Sequence, residues 1–295
     1  MKIFDCTTFY SEHLMMDVRF NVLDEYVHKF IVSESTFSHS GEPKKLNFDI
    51  NNYPKFKDKI IYVVIDKEPN DIIEIKDKPL TTVDKRSNSI KRIELSYDYM
   101  AKSLDIALDN DLIILSDNDE IPNLGSKQFQ SSNKDLFIFK QLFFYYKFNL
   151  LYDLVSWHGP KAAKKKKLIS MSWLKNLKNK QYPFWRLDTL FSNNKYTNLD
   201  IINDGGWHFT NLKSPEELYK KLTNYGHHDE FELSGLTVND LRKKIEEKRV
   251  YSNPFVDKEN YKERWNYDYK LIKINNELLP HYLKNNLEKF KEWFD

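Results

Sequence analysis

Apolar positions in the first 120 residues follow two alternating rhythms. Short apolar runs at Lys2 to Phe9, Tyr26 to Ser33, Ile60 to Ile65 and Leu112 to Leu115 have the length and β-branched content of strands. Between them lie stretches of helical spacing. Leu14, Met15, Val18 and Val22 share one face of Glu12 to Leu23, and Ile90, Ile93, Tyr97, Met100 and Leu104 one face of Ser87 to Leu108. Such alternation predicts an α/β fold of Rossmann type, a mostly parallel sheet flanked by helices. One connection, ESTFSHSGEPK, is too long for a plain link and has the character of a binding loop.

The pattern changes in the second half. Leu136 to Phe148 (LFIFKQLFFYYKF) predicts one or two aromatic-rich strands, and KAAKKKK, 161 to 167, a solvated basic loop. Helices are expected at Ser214 to Asn224, where Ser-Pro-Glu supplies an N-cap and a proline at the first helical position, and at Val238 to Lys248. A closing helix is expected from Pro280 to Phe294. Without internal repeats, the chain is read as a single domain, 1–295.

Chemistry enters where the fourth apolar run ends. LIILSDNDEIP, 112 to 122, passes directly from a strand buried on both faces to Asp117, Asp119 and Glu120. Carboxylates at the carboxyl end of a central strand sit where open α/β sheets bind ligands. Gathered anions repel one another unless a cation joins them, and hard oxygen donors favour a divalent metal, Mn2+ or Mg2+. With 46 basic and 44 acidic side chains, net +2, the composition gives no reason to expect a nucleic-acid partner. The absence of a Gly-rich phosphate loop argues against a Rossmann dehydrogenase or a P-loop enzyme. The lone Cys6 excludes an internal disulfide framework, and no apolar stretch reaches membrane-spanning length, so a soluble cytoplasmic protein is expected.

Five blocks in order resemble glycosyltransferase family 17, which includes the enzyme adding bisecting N-acetylglucosamine to N-glycans. FDCTTFYSEHLMMDVRFNVLDEYVHKFIVSEST resembles its opening strand-helix-strand, with Glu12, Arg19 and Glu34. SHSGEPKKLNF resembles its Ser-Gly-x-Pro-Lys loop, and SDNDEIP its metal motif. GGWHF (205 to 209) and HDEF (228 to 231) resemble its Gly-Trp-His and His-x-Glu elements, and LPHYLKNNLEKF its C-terminal signature. The resemblance implies a GT-A-like fold with a nucleotide-sugar-binding half, 1–125, and an acceptor-side half with C-terminal helices, 126–295. It further implies an inverting, metal-dependent transfer of N-acetylglucosamine or a related hexose, from a nucleotide-diphosphate donor (a UDP-sugar above all) to a glycan hydroxyl.

In that reading Asp119 binds the metal directly, Asp117 contacts metal, ribose or metal-bound water, and His208 is a further metal ligand. The bland alternatives are an acidic turn that caps a strand and a core histidine packed beside Trp207. Phe9, Glu34, Lys44 and Arg92 are assigned to the donor, Glu34 against base or ribose and the two cations against diphosphate. Loop capping by Glu34 and a solvated Lys44 are their alternatives. The attacking hydroxyl needs a base, for which Glu230 is the first choice with His228 orienting it, ahead of Asp188 and Asp204. Trp157, Trp173, Trp185 and Tyr182 are candidates for stacking on acceptor sugars or for the core.

Animal members of the family carry a membrane anchor and lumenal disulfides. The expectation here is instead a microbial or viral enzyme acting on a surface polysaccharide, a lipid-linked oligosaccharide or a viral glycan, with at most peripheral membrane contact. A metal-dependent phosphotransferase or nuclease and a non-catalytic sugar-binding relative are the rival classes.

Overall fold

Four short parallel strands, β1 (Ile3–Thr8), β2 (Lys29–Ser35), β3 (Ile60–Ile65) and β4 (Leu112–Leu115), lie in the order β3-β2-β1-β4. They belong to a computed structural model that describes residues 1–75, 78–224, 231, 234–256, 264–265 and 267–295. The sheet is covered on both faces. Alternate residues of β4, Leu112 and Ile114, pack toward α1 (His13–Leu23), while Ile113 and Leu115 pack toward α2 (Thr82–Lys102). Helix α2 starts five residues before the expected Ser87, because Thr81 and Asp84 form a reciprocal capping box at Thr81.

After β4 the sheet becomes mixed. The chain continues through β5 (Glu120–Pro122), α3 (Lys127–Ser131), β6 (Leu136–Tyr145), β7 (Leu150–Leu151), β8 (Trp157–Lys164), α4 (Met171–Lys175), β9 (Leu199–Ile202) and β10 (Gly206–Thr210). Strand β8 lies antiparallel between β4 and β6. A bulge between Ile138 and Lys140 divides β6, whose first half pairs with β9 and whose second half pairs with β10. Helices α5 (Pro215–Asn224) and α6 (Val238–Glu246) contribute Leu218, Leu222 and Leu241 to a third apolar cluster around the far end of β6. Strand β11 (Ile272–Lys273) and helix α7 (His281–Asn285) follow. Eleven strands among the described residues form one sheet, the mixed α/β arrangement of a GT-A-like fold.

Two expectations are corrected. KAAKKKK is not a loop: Lys161, Ala162 and Ala163 are buried in β8 and pair with Leu115, Ile114 and Ile113. Two alanines fit the space between layers, and the Lys161 ammonium donates to the carbonyls of Lys175 and Leu177, at 2.7 Å each, which makes its burial tolerable. Only Lys165–Lys167 forms a surface turn. The closing helix also stops early. The Asn286 amide donates at 2.8 Å to the Tyr282 carbonyl, the acceptor its own backbone N–H would use in a continued helix. No helix among the described residues is long and apolar enough to cross a membrane.

Candidate active site

The turn between β4 and β5 is held from beneath before any ligand arrives. The Asp117 N–H donates to Glu120 Oε2 and the Glu120 N–H donates to the Asp117 carbonyl, both at 3.0 Å. Glu120 Oε1 accepts from the Trp157 indole at 2.6 Å. Below the turn, the buried guanidinium of Arg19 donates to both oxygens of Asp5, to the Ser116 hydroxyl, and to the carbonyls of Asp117 (3.1 Å) and Glu120 (2.8 Å). The result is a rigid turn that presents Asp117 and Asp119 upward.

Strand β10 supplies the histidine. It pairs antiparallel with β5, Gly206 opposite Pro122 and His208 opposite Glu120. Gly206 has φ +110°, and a Cβ there would overlap the Ile121 carbonyl oxygen, so only glycine permits this approach. His208 Nε2 then lies 3.4 Å from Asp119 Oδ1. Its ring is packed between Trp157 (centroids 4.8 Å) and Phe143 (4.6 Å), and its Nδ1 is buried without a partner. Burial opposes ionisation of Asp119, but attraction to His208 and a hydrogen bond from it outweigh that and hold the carboxyl at about 2.

Lys175, at the end of α4, completes the floor. Its ammonium is 3.1 Å from Asp117 Oδ1 and 3.7 Å from Glu120 Oε2. Burial pushes the Glu120 carboxyl up, and the same burial would lower Lys175 were it not overcome by the attraction of Asp117 and Glu120, which raises it. These groups open into a cavity of about 630 Å³ at the carboxyl ends of β1, β2 and β4.

Of the sequence-derived residues, Phe9, Lys44, Arg92, Asp117, Asp119 and His208 all line this cavity. Phe9 is buried edge-on against Phe48, and Arg92 reaches the His39 carbonyl at 3.1 Å and the Glu68 carboxylate at 2.9 Å. Glu34 sits beneath instead. Its two oxygens accept from Lys44, the Asn47 N–H (2.9 Å), the Phe48 N–H (3.0 Å) and the Tyr62 hydroxyl (2.8 Å), which is the loop-holding alternative. Asp188 is on an exposed turn, bound by Arg186 and Lys195 and away from the cavity lining; those two cations, the Arg186 hydrogen bond foremost, hold it at about 2. Asp204 is exposed and accepts from Asn123 at 3.0 Å. His228 and Glu230 lie outside the described residues.

Sequence reasoning missed Lys175 and Trp157 as partners of the acidic turn. Neither carries a local signal, since Trp157 is placed by the pairing of β8 with β6 and Lys175 by helix α4, both far along the chain. Glu120 is visible in the acidic motif, and in the structure it holds the turn.

The model of one protein family, Glycosyltransferase family 17, matches residues 1–293. The chain belongs to glycosyltransferase family 17. No curated protein matches it significantly. As a family 17 glycosyltransferase it transfers a glycosyl group from a sugar donor to a glycan acceptor. In this family 17 enzyme the donor set at Asp119 and His208 fits a divalent cation: one carboxylate oxygen and one imidazole nitrogen face the cavity 3.4 Å apart. Among the described residues, no group of three or more His, Cys, Asp or Glu side chains is placed to hold a metal ion. Asp117 is committed to Lys175.

Proposed function

We propose that this glycosyltransferase moves N-acetylglucosamine or a related hexose from a UDP-sugar to a glycan hydroxyl, with inversion and with a divalent metal. The observation that carries this reading is the Asp119–His208 pair at 3.4 Å, facing a cavity large enough for a nucleotide sugar. The pair would hold Mn2+ or Mg2+, which supplies neutralisation of the charge that builds on the departing diphosphate.

The chain's own residues do the remainder. Lys175 keeps Asp117 and Glu120 neutralised, so that an anionic donor is not repelled by the acidic turn. Arg92 and Lys44, both lining the cavity, add positive potential for the diphosphate. Phe9 offers an apolar wall for the nucleoside. Inversion requires one base near the attacking hydroxyl. Glu230 with His228 is the proposed base; Leu222 before that segment lines the cavity, and Phe231 after it is buried against Tyr219 and Trp265. A lipid-linked oligosaccharide or polysaccharide in the cytoplasm is the proposed acceptor setting, in keeping with the single buried Cys6.

Thermal-shift binding of a nucleotide-sugar panel, with and without Mn2+, tests the reading on wild type and Asp119→Ala. A ligand at a hundred times its dissociation constant adds about 2.7 kcal/mol, which is visible as a raised melting temperature. Metal-dependent stabilisation by one UDP-sugar, lost in the variant, is the expected result. Equal stabilisation without metal would overturn the metal-dependent reading, and a response only to another nucleotide would overturn the UDP assignment.

A further inference from the structure

A second feature lies outside the cavity. Phe184, Trp185, Leu187 and Phe191 are 86, 68, 73 and 90% exposed. Phe184 and Trp185 meet edge to face at 5.1 Å, and Leu187 and Phe191 sit on one 3-10 turn, Leu187–Phe191. Scattered apolar residues at a surface are ordinary, but four large ones within eight positions form a patch that calls for a partner. The charge of the stretch that carries them is one-sided. Positions 176 to 198 hold Lys178, Lys180, Arg186 and Lys195 against a single acid, Asp188, in a chain whose whole net charge is only +2. Arg186 and Lys195 neutralise Asp188, while Lys178 and Lys180 are exposed.

We propose that this stretch docks the protein on an anionic lipid bilayer. The four apolar side chains enter the boundary between headgroups and acyl chains, and the flanking lysines meet lipid phosphates. Charge decides the occupant: a second copy of this chain would set the same cations against one another, whereas an anionic bilayer answers both the charge and the aromatics. The stretch leaves the cavity wall immediately after Lys175, so docking would bring the active site close to the membrane surface. The inference stands apart from the donor and metal assignments.

The test is sedimentation of the full chain with phosphatidylcholine vesicles, with and without phosphatidylglycerol. Binding to the phosphatidylglycerol vesicles that weakens with added salt is expected. The Phe184→Ser, Leu187→Ser, Phe191→Ser triple variant should bind at least roughly tenfold more weakly, with an unchanged melting temperature and unchanged hydrolysis of the donor. Lys178→Ser with Lys180→Ser should weaken binding as well. Absence of vesicle binding overturns the proposal. So does equal binding by the triple variant, which would mean affinity for polyanions alone, or a wild-type dimer that the triple variant dissolves.

Discussion

Arg19 holds Asp5 through two hydrogen bonds, 2.7 Å from Nε and 2.5 Å from Nη2, and turns Nη1 toward the carbonyls of Asp117 and Glu120. Both side chains are fully buried. One ion pair between β1 and α1 thus supports the acidic turn. Arg19→Met should destabilise the protein by about 3–5 kcal/mol, because it leaves the Asp5 carboxylate buried without its counter-ion. Arg19→Lys should recover little, since an ammonium cannot reproduce the fork. Urea denaturation measures both, and adding Asp5→Asn to Arg19→Met should restore part of the loss.

Asp119→Asn and His208→Ala should each lower kcat/KM roughly 10²- to 10³-fold, because each removes half of the pair that faces the reacting charge. The double variant should be little worse than either single one, as expected of residues that act as a unit. Steady-state kinetics at saturating metal tests this; fully multiplicative losses would separate the two roles.

At Gly206 the prediction is steric. Gly206→Ala combines φ +110° with overlap on the Ile121 carbonyl, and should cost on the order of 3 kcal/mol while displacing His208. Gly235→Ala is the control: it has φ +67° and open space around the added methyl, so about 1 kcal/mol is expected. Melting temperatures of the two variants give the comparison.

Lys161 predicts a pH dependence. Burial foremost, then repulsion from Lys175, depresses its ammonium from 10.5 to about 8. Between those values the unfolded chain binds more protons than the folded one, so this residue's contribution to stability rises with pH from about 8 to 10.5. Below pH 8 the folded protein must keep the buried charge, and the cost is constant. The stability of wild type minus that of Lys161→Met should therefore grow by up to about 3 kcal/mol across that window. A flat difference in urea denaturation at pH 7.5 and pH 10 would remove Lys161 from the account.

Much of the first half is legible in the sequence because its strands are buried on both faces and its helices on one. Ile60 to Ile65 is read to the residue, and the capping box at Thr81 and Asp84 is a visible signal that periodicity alone overlooks. The second half is harder. A lysine-rich run reads as solvated, yet β8 threads it through the sheet by giving Lys161 two carbonyl acceptors that lie 14 and 16 residues ahead. Apolar spacing from Pro280 onward is helical, but one asparagine amide ends the helix. Within the site, Asp119 and His208 are announced by their neighbours, whereas Lys175 meets Asp117 only through folding, 58 residues away in the chain.

The loop that follows β2 carries one more consequence. Glu34 already satisfies donors from Lys44, Asn47, Phe48 and Tyr62, so this segment loses its conformational freedom when the chain folds and not when a donor arrives. A ligand that enters the cavity then meets a finished surface on this side. Binding on this side needs no ordering of the loop, so diffusion and charge set its rate.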